Sequence, residues 1–394
     1  MQDNNEFISA PKKKHKSKYG LVFISGIITG ILIYLFINIY SNRAYGMSLQ
    51  EYMNINSFID MTEKYYYKDT KDVDYNVGIR KGIVESLGDP YSRYLSKEEF
   101  SKMMEETTGE FVGIGVYIGP TQDGKIGVIA PIKGSPAEKA GIKTGDIIIT
   151  VNGKPYDAKT MDEAVRNMKG KEGEKVVLEL VSVDKKLKKL TIIKSPIHTQ
   201  TVSSKALDNG IGYMQIISFE GKTAQEFSEN LASLKQKNIK GLIIDLRSNP
   251  GGMVDQVVKI ADEILPQAMI VYTQNKAGAQ EKFTSDDAHK LDMPIVVLVN
   301  KGSASASEIL SGALQDNKKA TIVGTNTYGK GVIQSVMGLN DGTGLVITTA
   351  QYFTPNGNRV HQVGIKPDVE VQLDENAKTD NQLQKAIEVL KTKM

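Results

Sequence analysis

The chain has 394 residues, 49 Lys and Arg against 46 Asp and Glu, a net charge of +3, 40% hydrophobic residues, no Cys and no Trp. Such a chain buries a real core and has room for two or three domains, so it is neither disordered nor collagen-like. The lack of Cys excludes a disulfide framework, a thiol nucleophile and Cys-based metal centres, and four His (15, 198, 289, 361) speak against a His-rich metal site.

Residues 1–19 form a basic tail that carries the whole excess charge: Lys12, Lys13, Lys14, Lys16 and Lys18 stand against Asp3 and Glu6. The remainder is neutral, whereas a nucleic-acid binder would carry basic charge on a folded face, so no nucleic-acid partner is expected. Residues 20–40, GLVFISGIITGILIYLFINIY, hold no charge, and as a helix they span roughly 30 Å, the thickness of a bilayer core. They are too long for a cleaved signal, whose apolar core is about 7 to 15 residues. The flanking lysines set the orientation. The expectation is a single-pass signal anchor in the cell membrane, with a cytoplasmic N-terminus and everything after Arg43 outside.

Residues 45–98 read as a helical N-terminal domain, with Ile79, Ile83, Val84 and Leu87 on one helical face until Gly88 and Pro90 stop it. Residues 99–193 become β-branched and punctuated by Gly, a small domain of short strands, in which Thr160 and Glu163 are expected to form a capping box for a helix running to Met168. Residues 194–375 alternate apolar runs with amphipathic helices, the pattern of parallel βαβ units. In residues 376–394, Leu383, Ala386, Ile387 and Leu390 share a face, giving a C-terminal helix suited to self-association.

GSPAEKAGIKTGDIIITVNGKP (134–155) and FVGIGVYI (111–118) resemble the two halves of a bacterial-type PDZ domain. In that reading Gly113 and Gly115 let backbone N–H groups turn to a peptide's terminal carboxylate, and Ile114, Val116, Val165 and Met168 line an apolar pocket for its last side chain.

Two loops carry the candidate chemistry. VLVNKGSASASEIL places Ser303, Ser305 and Ser307 at a helix start, where N–H groups favour a developing anion. TIVGTNTYGKGVIQ matches the GxxxxGK of a phosphate loop from Gly324 to Lys330, but Gly331 stands where magnesium needs Ser or Thr, and VIQSV is strand-like where a helix is required. The better reading joins the loops. With so few His, a Lys made neutral by burial can serve a Ser nucleophile as base, and Lys330 lies between two glycines. In a strand Lys330, Val332 and Gln334 share a face, so Gln334 could orient the amine. Asp245 and Arg247 read as a structural ion pair, and a Ser-His-Asp triad on His289 or His361 is a weak competitor.

GSASASEI, YGKGVIQ, DLRSNPGG and LGDPYSRYL together resemble the C-terminal processing, or tail-specific, serine peptidases with a PDZ domain, over nearly the whole exported chain. The resemblance implies Ser305 as nucleophile, Lys330 as general base, Gln334 as its orienting residue, and an oxyanion hole at Gly251 and the Ala306 N–H. It also implies a crotonase-like or Clp-like protease core after the PDZ domain, hence an α+β and α/β multidomain chain with one transmembrane helix, no cofactor, no metal and a homodimeric state. Its substrates would be proteins or peptides with free C-termini. Where relatives carry a gating Arg after the PDZ helix, this chain has Lys169, which keeps the charge but not the bidentate fork. A catalytically silent, membrane-tethered PDZ scaffold is the alternative.

Overall fold

The computed structural model describes residues 17–45, 48–377 and 379–394, and the chain divides into two units after Arg80. Most of the basic tail lies outside the described residues. In the first unit, α1 (Ser17–Tyr45) contains Phe23–Tyr40, with a mean hydropathy of 2.0 and no buried residue. Among the described residues it is the one helix long and apolar enough to cross a membrane. A capping box starts α2 (Leu49–Tyr65): the Ser48 N–H donates to Glu51 Oε2 at 2.6 Å and the Glu51 N–H to Ser48 Oγ at 3.2 Å. α2 buries none of its side chains. On α3 (Tyr75–Glu85) and the turn after it, only Val84 of the expected face is buried, while Ile79, Ile83 and Leu87 remain exposed.

The second unit corrects the boundary expected at residue 99. β1 (Arg93–Leu95) pairs with residues 344–346, far along the chain, and α4 (Lys97–Thr108) is a helix that opens on a Ser96–Glu99 capping box and ends at Gly109 with φ +67°. The chain then enters the small domain through β2 (Glu110–Gly113). Its sheet comprises β3 (Val116–Pro120), β4 (Ile126–Pro131), β5 (Ile147–Val151) with the short β6 (Lys154–Pro155), β7 (Lys175–Val181) and β8 (Leu187–Ile193), in the order β3-β4-β5-β7-β8. α5 (Pro136–Lys139) and α6 (Met161–Met168) complete it. The expected capping box at α6 is not formed. The Thr160 hydroxyl is hydrogen-bonded to Asp157, which caps the preceding 3₁₀ turn, and Glu163 is ion-paired to Lys154. The chain leaves through β9 (Ser195–His198), which pairs antiparallel with β2, so entry and exit form one two-stranded ribbon.

The βαβ expectation holds in the remainder. β10 (Val202–Leu207), β11 (Ile211–Ile216), β12 (Gly241–Asp245), β15 (Ile295–Val299), β16 (Ala320–Gly324) and β19 (Val369–Glu370) form one sheet in that order, parallel from β11 onward. β12 and β15 are buried along their whole length, as a two-sided parallel sheet requires. Leu242, Ile244, Val297 and Val299 point to a core built with α7 (Thr223–Gln236), α8 (Val254–Ile264) and α9 (Ala306–Asp316). A second, antiparallel sheet holds β1, β13 (Ala268–Asn275), β14 (Gln280–Ser285), β17 (Val332–Gly338) and β18 (Gly344–Phe353).

Ile243, Val296 and Leu298 point to the other face, which α10 (Asn381–Lys391) covers with Leu383, Ala386, Ile387 and Leu390. The helix face expected to serve self-association is therefore spent on its own sheet. Arg247 fastens its start: the guanidinium bonds Asp245 at 2.6 Å, Asp380 at 2.8 Å and the Gln382 side chain at 3.1 Å. The expected Asp245–Arg247 pair is present and extends to this helix.

Candidate active site

Three serines precede α9, and their surroundings separate them. Ser303 Oγ donates to the Leu246 carbonyl at 2.8 Å and Ser307 Oγ to the Asn249 carbonyl at 3.0 Å, and both residues are fully buried. Ser305 is half-buried, and among the described residues its hydroxyl donates to no protein acceptor. Its backbone is strained, at φ 52° and ψ −112°, a conformation that persists only where surrounding contacts impose it. The imposing contact is the turn after β12. Gly251, at φ +102°, lies so close that a Cβ there would stand 2.7 Å from Ser305 Cβ and 2.8 Å from the Ala304 carbonyl. Only glycine permits that approach.

Glu308 joins this loop to the one carrying Lys330. Its carboxylate is fully buried one turn into α9. One oxygen accepts the Thr327 hydroxyl at 2.6 Å and the Gly329 N–H at 2.7 Å. The other accepts the N–H groups of both Ser305 and Lys330, each at 2.9 Å. The two backbone nitrogens can thus be no farther apart than those bonds laid end to end. Buried Tyr352 of β18 closes the arrangement: its hydroxyl donates to the Lys330 carbonyl at 2.8 Å and lies 3.2 Å from the Ser305 carbonyl. Burial first, then the Glu308 carboxylate, keep that phenol protonated.

The Lys330 amine is half-buried and donates to no protein acceptor among the described residues; it stands over the Tyr91 ring, 5.1 Å from the centroid. Burial lowers its pKa most and the Arg93 charge lowers it further, while Asp89 and Glu308 pull the other way. A lysine so placed gives up its proton at lower pH than a solvated one. Gly329 and Gly331 let the backbone of residues 360–363 press against this loop. The strand-like VIQSV is β17, as the rejection of a phosphate loop requires. Lys330 itself precedes β17, and the Gln334 amide donates to Thr348 Oγ1 at 3.1 Å rather than contacting the lysine. The Gly251 N–H donates to Asn249 Oδ1 at 2.8 Å, whereas the Ala306 N–H opens α9, where the first N–H groups have no partner within the helix.

In the small domain, β3 pairs with β4 alone among the described residues, so its other edge is open there. Ile114 and Met168 are core residues, 2% and 4% exposed, with Val116 and Val165 half-buried against the same cluster. Gly115, at φ +74°, faces Ser135, whose hydroxyl donates to its carbonyl at 2.9 Å, and Gly113 pairs with Ser195 in the ribbon. Lys169 is engaged at the mouth of this domain: it is ion-paired with Glu105 of α4 and stands 4.8 Å over the Phe111 ring.

Residues 210–371 match the model of peptidase family S41, and residues 127–182 match that of the PDZ domain. The carboxy-terminal processing protease CtpA of Bacillus subtilis is 36% identical over 371 residues, 93% of this chain and 79% of the relative. This chain is an S41 peptidase. A carboxyl-terminal-processing protease of Synechocystis sp. is also 36% identical, over 84% of this chain and 78% of its own. A solved structure from Bacteroides fragilis named as an S41 protease shares the fold, with a TM-score of 0.51, 16% identity and coverage of 79% of this chain and 90% of that one. The chain is thus a serine peptidase of the C-terminal processing family with a PDZ domain, an α+β multidomain protein. Sequence reading of the S41 site missed Glu308, Tyr352 and Tyr91. Glu308 is the last polar residue of SASASE and Tyr91 the aromatic of GDPY, so both stood within recognised motifs without a chemical role.

Proposed function

We propose that this S41 peptidase is a membrane-anchored, extracytoplasmic endopeptidase in which Ser305 is the nucleophile, Lys330 the general base, and the PDZ domain the receptor for substrate C-termini. The observation that carries the reading is the single buried carboxylate of Glu308, which takes the backbone N–H groups of both residues.

In this reading the neutral Lys330 amine takes the Ser305 hydroxyl proton as the oxygen attacks the scissile carbonyl. The oxyanion forms at the N-terminus of α9, against the Ala306 N–H and, once it is released from Asn249, the Gly251 N–H. The Lys330 ammonium then protonates the leaving amine, and water attacks the acyl-enzyme with Lys330 again as base. Gln334 would orient the amine through its Oε1, since its amide nitrogen is engaged by Thr348. A peptide would add to the open edge of β3 with its carboxylate at Gly113–Gly115 and its last side chain between Val116 and Val165. α1 would be the anchor, with the tail cytoplasmic. Homodimer formation would fall to α2, none of whose side chains is buried.

The full-length chain in detergent, given an unstructured peptide with an apolar free C-terminus, should cleave it. Ser305→Ala and Lys330→Ala should each abolish cleavage, EDTA should leave it intact, and amidation of the peptide terminus should raise KM. Cleavage persisting in both variants overturns the dyad.

A further inference from the structure

Lys330 is surrounded from several elements. Tyr91 and Asp89 come from the segment leading into β1, Arg93 from β1 itself, Glu308 from α9, Tyr352 from β18, and His361 from the loop pressed on Gly331. The Tyr91 ring face lies under the amine, its centroid 5.1 Å from Nζ. Tyr91 is held through both its backbone and its ring. Asp89 accepts the Tyr91 N–H at 3.2 Å and the Ser92 hydroxyl at 2.6 Å, Ser92 Oγ accepts the Thr348 N–H at 3.0 Å, and the His361 ring stands edge-on with centroids 6.4 Å apart. Burial first, then the neighbouring Tyr328 phenol, hold the Tyr91 hydroxyl in its neutral form. A neutral ring with a negative face attracts an ammonium and has little hold on an uncharged amine.

Resting on the dyad reading above, we propose that Tyr91 is the positioning residue of the base: its ring face parks the Lys330 ammonium, and loss of the proton frees the amine to turn to the Ser305 hydroxyl. Deprotonation and repositioning are then one event. The lysine that has its proton is kept from the nucleophile, and the one that has lost it carries the lone pair that accepts the Ser305 proton. The competing role for the ring is a plain apolar cover that keeps water from the amine.

Weakening the ring's π density without changing its size separates the two. In the full-length protein, Tyr91→Phe serves as the reference, and mono-, di- and trifluorinated phenylalanines are introduced at the same position by amber suppression. The readout is the inflection of the rising limb of kcat/KM against pH. An ammonium held by the ring loses stabilisation as fluorines are added, so the limb should move to lower pH stepwise, by roughly half a unit to one unit across the series. A limb that stays in place, or moves to higher pH, overturns the proposal and leaves the ring as a cover. Failure of the dyad itself reads differently: Lys330→Ala would then keep the wild-type rate, whereas the perch alone fails when that variant is dead and the fluorinated series is flat.

Discussion

Replacing Glu308 with Gln changes one oxygen to an amide and removes one charge, and the hydrogen bonds around it determine the outcome. Each carboxylate oxygen receives two donors at 2.9 Å or less, and the Tyr352 hydroxyl stands 3.5 Å from the one that faces Ser305 and Lys330. If the amide nitrogen replaces the oxygen facing Ser305 and Lys330, both backbone N–H groups are orphaned. If it replaces the other, Gly329 loses its acceptor, and the Thr327 hydroxyl must turn although its oxygen already accepts the Ile365 N–H at 2.6 Å. The second orientation loses less. A buried orphan costs about 1–3 kcal/mol, and each bond kept changes from charge-assisted to neutral at about 1 kcal/mol. The sum is roughly 3–5 kcal/mol of stability, and the loops bearing Ser305 and Lys330 lose their common tie. A displacement of about 1 Å between reacting groups costs on the order of 100-fold in rate. The assay is peptide cleavage with thermal unfolding of the same preparation: kcat should fall about 100-fold, KM should change little, and the melting temperature should drop. Glu308→Gln with kcat within about twofold of wild type and an unchanged melting temperature would refute the reasoning.

Removing the Arg93 charge by Arg93→Gln relieves a like-charge repulsion on Lys330, so its pKa rises and the rising limb of kcat/KM should move to higher pH, read from the pH profile. Gly251→Ala places a Cβ against Ser305 and Ala304 at a φ that L-residues resist. It should cost about 1–3 kcal/mol of stability and most of the activity, measured by denaturant unfolding and peptide turnover. Arg247→Leu leaves Asp245, 1% exposed, without its cation and frees the start of α10. The loss should be about 3–5 kcal/mol, seen as a lowered urea midpoint.

Legibility in the sequence depended on the range of each signal. The parallel strands lie in local apolar patterns and were legible in them, whereas Lys330, read as sharing a strand face with Gln334, precedes β17. β1 has three residues, too few for a period to register, and its partner β18 lies far along the chain, so neither its place in the protease sheet nor Tyr91's approach to Lys330 was legible. Glu308 reads as an ordinary first-turn acid of a helix because all its donors but the Ser305 N–H come from segments far along the chain. Thr160 and Glu163 had the spacing of a capping box, but Asp157 and Lys154 engaged them first. The apolar face of α10 was visible, but a single chain does not announce whether such a face meets its own sheet or another copy.

The ribbon of β2 and β9 gives the PDZ domain the character of a detachable cassette. Gly113 and Ser195 face each other across it, with one strand leading in and the other out. A two-residue Asn-Gly turn joining those positions would close the ribbon as an ordinary hairpin. The protease sheets, assembled from β1 and from β10 onward, would keep every strand they have now. The PDZ domain could then be removed, or exchanged for another domain whose ends lie a strand's width apart, with the catalytic frame left to be selected on its own terms.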